Sequence, residues 1–328
     1  MATIYYDNDA DLNLIKDKTI AIIGYGNQGR SQALNMRDSG IKNVIVGSRK
    51  DESYDKANED GFMVYSIEEA SKKADVIFML IPDEIAPEIY EKTIAPNLKD
   101  GCIVNFASAY NITFDRIKPA SNLDIVMVAP RMIGKGVRDL YVAGEGSPCF
   151  VGVHQDYSGK ALEYAKALCK AIGATRKGAI EVRFNDETFI DLMAEQGIWP
   201  LIYTILNEAF KLEVEMGHPE EAVLMDMYLS KESAIMLEEA ANLGLFKQLP
   251  LHSHTSQYGQ LSGFQITDSK AIRDFLKSRY DRIKSGAFAD EWEKEQKENN
   301  LSTFHKLEEE ANNSQIAKAE AKLKSRLK

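Results

Sequence analysis

The fold is decided by the stretch IAIIGYGNQGRSQAL, residues 20–34. An apolar run ends in the pattern Gly-x-Gly-x-x-Gly, and a helix-compatible segment follows. Gly24 permits the tight turn out of a strand, Gly26 lets the backbone approach a pyrophosphate, and Gly29 allows close packing of helix on strand. The helix N-terminus then presents N–H groups to the anion. The alternative is a glycine-rich turn without a ligand. The residues predicted to bind a dinucleotide here are Gly24, Tyr25, Gly26, Asn27, Gln28 and Gly29.

A doubly wound sheet is indicated by the rest of the first half, where short apolar runs alternate with helix-compatible segments. Continuous Val and Ile runs are typical of parallel strands that are buried on both faces. The predicted strands are 19–23, 43–47, 76–80, 103–106, 125–128 and 149–153. The predicted helices are 29–39, 66–73, 85–94 and 159–172. We therefore predict an α/β, Rossmann-type domain over residues 1–182.

From about Arg183 onward, long helical segments replace this alternation, which predicts an all-α domain over residues 183–328 for substrate binding and dimerisation. Its predicted helices are 186–196, 201–216, 220–243, 269–286 and 290–299. The stretch 242–267 contains Gly, Pro, His and Ser, so we expect a loop over a site there. The tail from Ser314 is weakly amphipathic and is expected to form a frayed, solvated helix.

Composition excludes several classes of protein. The chain has 328 residues, which favours two domains, and its net charge of −10 argues against a nucleic-acid binder. No apolar run approaches the roughly 20 residues of a membrane span, and no secretory signal is visible. The three cysteines have no CxxC spacing and are expected to be buried, reduced thiols. We expect a cytoplasmic protein without a membrane partner.

The choice of coenzyme is predicted from the residues after the second strand. Ser48, Arg49 and Lys50 stand where an acidic residue commonly binds the ribose hydroxyls of NAD. A hydroxyl and two cations suit a 2′-phosphate, so NADP(H) is favoured over NAD(H). An ordinary solvated turn is the alternative, and the nearby Asp51 weakens the argument. Pro82 and Asp83 end the next apolar strand and are expected to border the nicotinamide, although a simple loop start explains them equally well.

Further blocks carry a resemblance to a known family. They are Tyr5-Tyr6-Asp7, Glu187-Thr188, Pro219-Glu220 and residues 127–130, 155–159, 191–196 and 253–259. Together with the glycine motif, the chain resembles the short form of the ketol-acid reductoisomerase family. The resemblance implies a knotted helical domain, a homodimer, NADPH and two Mg²⁺ ions. It also implies metal-assisted alkyl migration on an acetohydroxy acid, followed by hydride reduction, within branched-chain amino-acid biosynthesis.

The metal ligands that the resemblance implies are only partly present. Asp191 and Glu195 stand four residues apart on a predicted helix, so both face one side, and they match the family's first metal-binding pair. We predict that they are catalytic and hold Mg²⁺, while a solvated helix face is the alternative. The second pair falls on Met225 and Leu229, which cannot ligate Mg²⁺ unless a register shift turns Asp226 inward.

Other departures from the family pattern also affect the chemistry. Ser108 takes the place of a histidine, Arg131 that of a lysine, and Gln257 that of an acidic residue. Arg131 keeps the positive charge in a planar group that can bind a carboxylate with two hydrogen bonds. We predict that Arg131 is catalytic, and that Arg131, Ser108 and Ser253 bind the substrate. For His252 and His254 two roles stay open, a proton donor or metal ligand and hydrogen bonding to the backbone.

The coenzyme half of the predicted site is thus retained, whereas the metal half is reduced. The hypothesis that follows is an NAD(P)H-dependent oxidoreductase that reduces a small 2-keto or ketol acid, with isomerisation weakened or lost. Whether Mg²⁺ binds stays open. One alternative is a genuine Mg²⁺-dependent ketol-acid reductoisomerase, which converts 2-acetolactate. A second alternative is a non-catalytic paralogue that binds NADP(H).

Overall fold

The computed structural model describes residues 1–327, which form two compact units. The first unit covers residues 1–190, and the second begins at Asp191. The predicted domain boundary after residue 182 precedes the helix Phe184–Met193, within which this division lies. In the described residues we find no helix that is long and apolar enough to cross a membrane.

The first unit is built on one sheet. In the described part of the chain, residues 1–327, this sheet has nine strands. They are β1 Ile4–Tyr5, β2 Thr19–Ile23, β3 Asn43–Gly47, β4 Met63–Tyr65, β5 Val76–Met79, β6 Ile103–Phe106, β7 Asp124–Pro130, β8 Cys149–Gln155 and β9 Ala179–Glu181. The order across the sheet is β1-β9-β8-β7-β6-β5-β2-β3-β4. Strands β4 to β7 and β2 run parallel to β3, in the order of a dinucleotide-binding fold. Strand β8 is antiparallel to β7, and β1 is antiparallel to β9, so the sheet is mixed.

Helices cover both faces of this sheet. They are α1 Asn27–Asp38, α2 Glu52–Glu59, α3 Ile67–Lys73, α4 Ala86–Ile89, α5 Tyr110–Thr113, α6 Gly134–Val142, α7 Ala161–Ala171 and α8 Phe184–Met193. Side chains alternate between the faces along β2, since Ile20 and Ile22 join one hydrophobic cluster and Ala21 and Ile23 join the other. The predicted Rossmann-type sheet is confirmed.

The second unit is helical throughout its described part. Its helices are α9 Trp199–Glu215, α10 Glu220–Leu224, α11 Glu232–Leu243, α12 His254–Ile266, α13 Ser269–Lys284, α14 Ala287–Lys297, α15 Ser302–Asn312 and α16 Gln315–Lys324. Wider π-helical turns occupy Ala194–Ile198 and Met225–Leu229. The all-α class of this part of the chain is confirmed, whereas a knot stays a prediction.

Three expectations about the second unit are wrong. The predicted helix 220–243 is interrupted, because Lys231 has a positive φ of 68°. The predicted loop 242–267 contains α12, which begins where the Ser253 side chain accepts a hydrogen bond from the Ser256 N–H. The tail is not a frayed, solvated helix, because Ala319 and Leu323 of α16 are buried in a hydrophobic cluster with Phe210.

Candidate coenzyme and substrate site

A cavity of about 630 Å³ lies at the carboxyl ends of the parallel strands of the first unit. Strands β2 and β5 are neighbours in the sheet, and the chain leaves them in opposite directions, so this is the topological switch point where such sheets bind ligands. The loops after β2, β3, β5 and β6 form its wall. From the predicted sites, the lining includes Gly24, Tyr25, Gly26, Asn27, Gln28, Ser48, Arg49, Pro82, Asp83 and Ser108.

The three glycines of the Gly-x-Gly-x-x-Gly motif, which runs from the loop after β2 into α1, have different surroundings. Gly24 has a φ of 95°, and a Cβ atom there would lie 2.6 Å from the Leu80 carbonyl oxygen. At Gly29 a Cβ atom would lie 2.0 Å from the Gly24 carbonyl oxygen. At Gly26, by contrast, no described atom lies within 4 Å of that position. Gly24 and Gly29 are therefore needed by the fold, while Gly26 leaves space on the cavity side, as the approach of a pyrophosphate requires.

The loop after β3 presents polar groups at the same cavity. The Arg49 guanidinium is 77% exposed and lies 3.9 Å from the Asp51 carboxylate. That carboxylate also accepts hydrogen bonds from the N–H groups of Ser53 and Tyr54, so it caps α2. Asp51 and Ser53 also line the cavity, although they were not predicted as site residues. The sequence signal that could have pointed to them is an Asp directly before a helix. Among the described residues, the lining does not include Lys50.

The loop after β5 is tied to α5 by one side chain. The Asn111 amide donates to the Asp83 backbone oxygen at 3.1 Å and to its carboxylate at 3.2 Å. Ser108 lies just before α5, and its hydroxyl oxygen accepts from the Tyr110 N–H at 3.3 Å. The predicted residues Pro82, Asp83 and Ser108 thus border one end of the cavity.

Arg131 is held by a buried carboxylate that the sequence did not assign to the site. Glu187 is 1% exposed and accepts from the Arg131 guanidinium at 3.1 Å and from the Ala109 N–H at 2.9 Å. The guanidinium also lies 4.9 Å from the centre of the Phe150 ring. Because Ala109 follows Ser108, Glu187 brings the Arg131 loop and the Ser108 loop together. The signal available in the sequence was the Glu187-Thr188 block, which supported only the family resemblance.

The predicted metal residues lie in the second unit. Asp191 is half-buried and Glu195 is exposed, and the π-helical turn begins between them. Residues 1–327 contain no group of three or more His, Cys, Asp or Glu side chains arranged around a metal. Met225 and Leu229 pack against the hydrophobic cluster of this unit, whereas Asp226 is exposed and is not turned inward. Mg²⁺ is often held by one or two carboxylates with water and substrate, so Asp191 and Glu195 have the right chemistry for it, and their role as its ligands stays a prediction.

Ser253 and the two histidines lie at the start of α12. Ser253 is exposed and caps this helix through its hydroxyl. His252 contacts the Gln248 side chain at 3.1 Å through Nε2, and its backbone oxygen accepts from Gln257 at 2.7 Å. His254 is exposed. Their roles in substrate binding or proton transfer stay predictions.

The sheet order and the cavity at its switch point define a protein of the dinucleotide-binding, Rossmann-type class. Residues 14–178 match the family model for the acetohydroxy acid isomeroreductase NADPH-binding domain, and residues 184–328 match that for the ketol-acid reductoisomerase C-terminal domain. The chain therefore belongs to the ketol-acid reductoisomerase family and is an oxidoreductase, which confirms the resemblance seen in the sequence.

Individual relatives agree along nearly the whole chain. A putative ketol-acid reductoisomerase 3 of Saccharolobus solfataricus is 47% identical over 96% of this chain and 95% of its own. A ketol-acid reductoisomerase (NADP(+)) of Pyrobaculum aerophilum is 45% identical over 97% and 96%. The solved structure of an NADH-preferring ketol-acid reductoisomerase from an uncultured archean is 35% identical, with a TM-score of 0.92 and 99% coverage of both chains.

Proposed function

We propose that this protein is a Mg²⁺-dependent ketol-acid reductoisomerase that converts 2-acetolactate with NADPH in branched-chain amino-acid biosynthesis. The observation that carries the proposal is the similarity to enzymes of that name over nearly the full length of the chain. That similarity favours the complete reaction over the hypothesis of a weakened isomerisation.

The cavity residues supply the coenzyme part of the proposal. The N–H groups of Gly26 and Asn27, at the N-terminus of α1, would bind the pyrophosphate. Ser48 and Arg49 would bind the 2′-phosphate of NADP(H), with Lys50, which does not line the cavity, adding positive charge next to Arg49 in the sequence. The Asp51 carboxylate already accepts the capping hydrogen bonds of α2 and lies 3.9 Å from the Arg49 guanidinium, which leaves it fewer free acceptor positions for ribose hydroxyls. NADP(H) is therefore our preferred coenzyme, although one similar solved protein is named NADH-preferring.

The substrate part rests on fewer groups. Arg131 would bind the substrate carboxylate or its carbonyl oxygen, because Glu187 and Phe150 already orient its guanidinium. Ser108 and Ser253 would donate hydrogen bonds through their hydroxyls. Asp191 and Glu195 would hold Mg²⁺, which supplies Lewis-acid polarisation of the substrate oxygens when bound. Glu195 is exposed, so it is also placed to exchange a proton with solvent.

A second copy of the chain is part of the proposal. Large apolar side chains are exposed on the helices of the second unit. On α9 and α11 these are Trp199, Tyr203, Ile205, Leu212, Ile235, Leu237 and Leu243. From these exposed apolar side chains we infer an interface between subunits. We propose a homodimer that works in the cytoplasm.

A second candidate function is reduction of a simple 2-keto acid without isomerisation. It is favoured by Met225 and Leu229, which pack in the hydrophobic cluster where a second pair of carboxylates would be needed. A chain with a single carboxylate pair would bind fewer cations but would still transfer hydride.

The test is a turnover assay with the purified full-length protein. 2-Acetolactate and simple 2-keto acids are each offered with NADPH or NADH, in Mg²⁺ or in EDTA. We expect Mg²⁺-dependent oxidation of NADPH with 2-acetolactate. The variant Asp191→Asn should abolish it, while Asp226→Asn, which removes an exposed carboxylate of the same unit, should leave it unchanged. Turnover of simple keto acids in EDTA would favour the second candidate, and coenzyme binding without any turnover would indicate a non-catalytic paralogue.

A further inference from the structure

The loop between β2 and α1 carries one side chain, that of Tyr25, between Gly24 and Gly26. Its ring is 3% exposed and packs edge-on against Phe62, with 5.7 Å between the ring centroids. Its hydroxyl donates to the Asp60 carboxylate at 3.0 Å. Asp60 follows α2, so this bond joins the glycine-rich loop to a different element of the fold.

The Asp60 carboxylate is itself firmly held. Arg30 of α1 donates to both of its oxygens, from Nε at 2.6 Å and from Nη2 at 3.0 Å. Arg37 donates to the Asp60 backbone oxygen at 2.6 Å, and its guanidinium lies 4.8 Å from the Phe62 ring centroid. Paired, charge-assisted bonds of this kind fix the position of a carboxylate. The acceptor of the Tyr25 hydroxyl is therefore fixed relative to α1.

This anchor bears on coenzyme binding because glycines give a loop many backbone conformations. A loop that samples them must be ordered when the pyrophosphate binds, and that ordering weakens affinity. We propose that Asp60 is a positioning residue for the coenzyme site, which holds the Tyr25 hydroxyl and thereby keeps loop 24–26 in its binding conformation. Among the described residues, the cavity lining does not include Asp60, so Asp60 acts through Tyr25. The inference rests on the dinucleotide site proposed above.

The experiment measures coenzyme affinity and folding separately in the full-length protein. NADPH is titrated, with its fluorescence as the readout and without substrate, into the wild type, Tyr25→Phe, Asp60→Asn and the double variant. Glu59→Gln is the matched control, because it removes the adjacent acidic charge, which has an exposed ion pair with Lys56. The melting temperature of each variant reports its stability.

We expect a Kd for NADPH about tenfold higher in each single variant, which corresponds to about 1.4 kcal/mol. The double variant should be no weaker than the weaker of the single ones, because Tyr25→Phe deletes the contact that Asp60→Asn weakens by replacing one carboxylate oxygen with an amide nitrogen. The kcat of Asp60→Asn at saturating NADPH should stay within about twofold, and Glu59→Gln should bind as the wild type does. Wild-type affinity in both single variants, or effects that add in the double variant, would overturn the proposal.

Two further outcomes are informative. If Asp60→Asn does not fold, Tyr25→Phe decides alone, because it keeps the Arg30–Asp60 pair and the aromatic ring. A variant that melts earlier yet binds NADPH normally would show that the contact is structural only. If the wild type binds neither NADPH nor NADH, the proposed function itself fails. If the wild type binds NADPH and the variants bind it equally well, only the proposal about Asp60 fails.

Discussion

Replacing Gly26 with alanine should weaken coenzyme binding while leaving the stability of the fold unchanged. Gly26 has a φ of −79°, which alanine readily adopts, and no described atom lies within 4 Å of the added Cβ. The free energy of unfolding should therefore change by less than about 0.5 kcal/mol, as at an uncrowded surface position. In a chain of this size we expect the melting temperature to stay within about 2 °C of the wild type.

The same methyl group should strongly weaken coenzyme binding. It would occupy the space through which a pyrophosphate reaches the N-terminus of α1, so at least one charge-assisted hydrogen bond would be lost. Such a bond contributes about 1.5–3 kcal/mol, and a tenfold change in Kd corresponds to about 1.4 kcal/mol. We therefore expect the Kd for NADPH to rise by about 10- to 100-fold.

The assay is the NADPH titration combined with thermal melting. Gly263→Ala in α12 is the control, because its Cβ also meets no described atom within 4 Å but lies in the other unit. It should leave the Kd unchanged. A Gly26→Ala protein with wild-type affinity would refute the placement of the pyrophosphate, and one that fails to fold would refute the assignment of open space at Gly26.

Three other features of the structure also lead to testable predictions. Glu187→Gln should lower the free energy of unfolding by about 1–3 kcal/mol, seen as a lower urea midpoint, because the buried partner of Arg131 loses its charge; an unchanged midpoint would contradict this. Hydrogen bonds from Arg30 lower the pKa of Asp60, so its contribution is complete above the unfolded value of about 3.9 and is lost as pH falls through the folded pKa. Melting curves of Asp60→Asn should then show a smaller loss of stability in acid than the wild type; an equal loss would count against it. Burial raises the pKa of Cys102 to about 12 and that of Cys149 well above its usual value, so a thiol reagent should react only with unfolded protein, and rapid labelling of the native state would disprove this.

The sheet could be predicted from the sequence because most of its strands are buried on both faces. Strands β2, β3 and β6 have the predicted limits, and the apolar runs of β2 and β3 end at glycine. Strands β1, β4 and β9 were missed. They have two or three residues each, which is too short for any pattern, and pairing with a neighbouring strand determines them.

The second unit was less predictable because a helical period does not reveal what each helix packs against. The segment 242–267 contains glycines that suggested a loop, yet Ser253 caps α12 and the helix forms. The tail looked solvated because it is rich in Lys. Ala319 and Leu323 lie four residues apart on one face, and tertiary packing buries both.

The candidate site was likewise predictable only where its residues are close together in the sequence. The glycine motif could be predicted because its residues are adjacent in the sequence and their geometry is local. The contact of Glu187 with Arg131 joins residues 56 positions apart, and that with Ala109 joins residues 78 positions apart. No short-range pattern encodes such a contact.

The sheet ends in very short strands at both sides. Strand β1 has two residues and β4 has three, so each edge exposes few unpaired backbone groups. An exposed edge is a template on which another chain can add a strand and begin to aggregate, and shortening the edge is one way in which proteins prevent this. A concentrated solution of this protein should therefore resist growth of fibres by edge-to-edge addition.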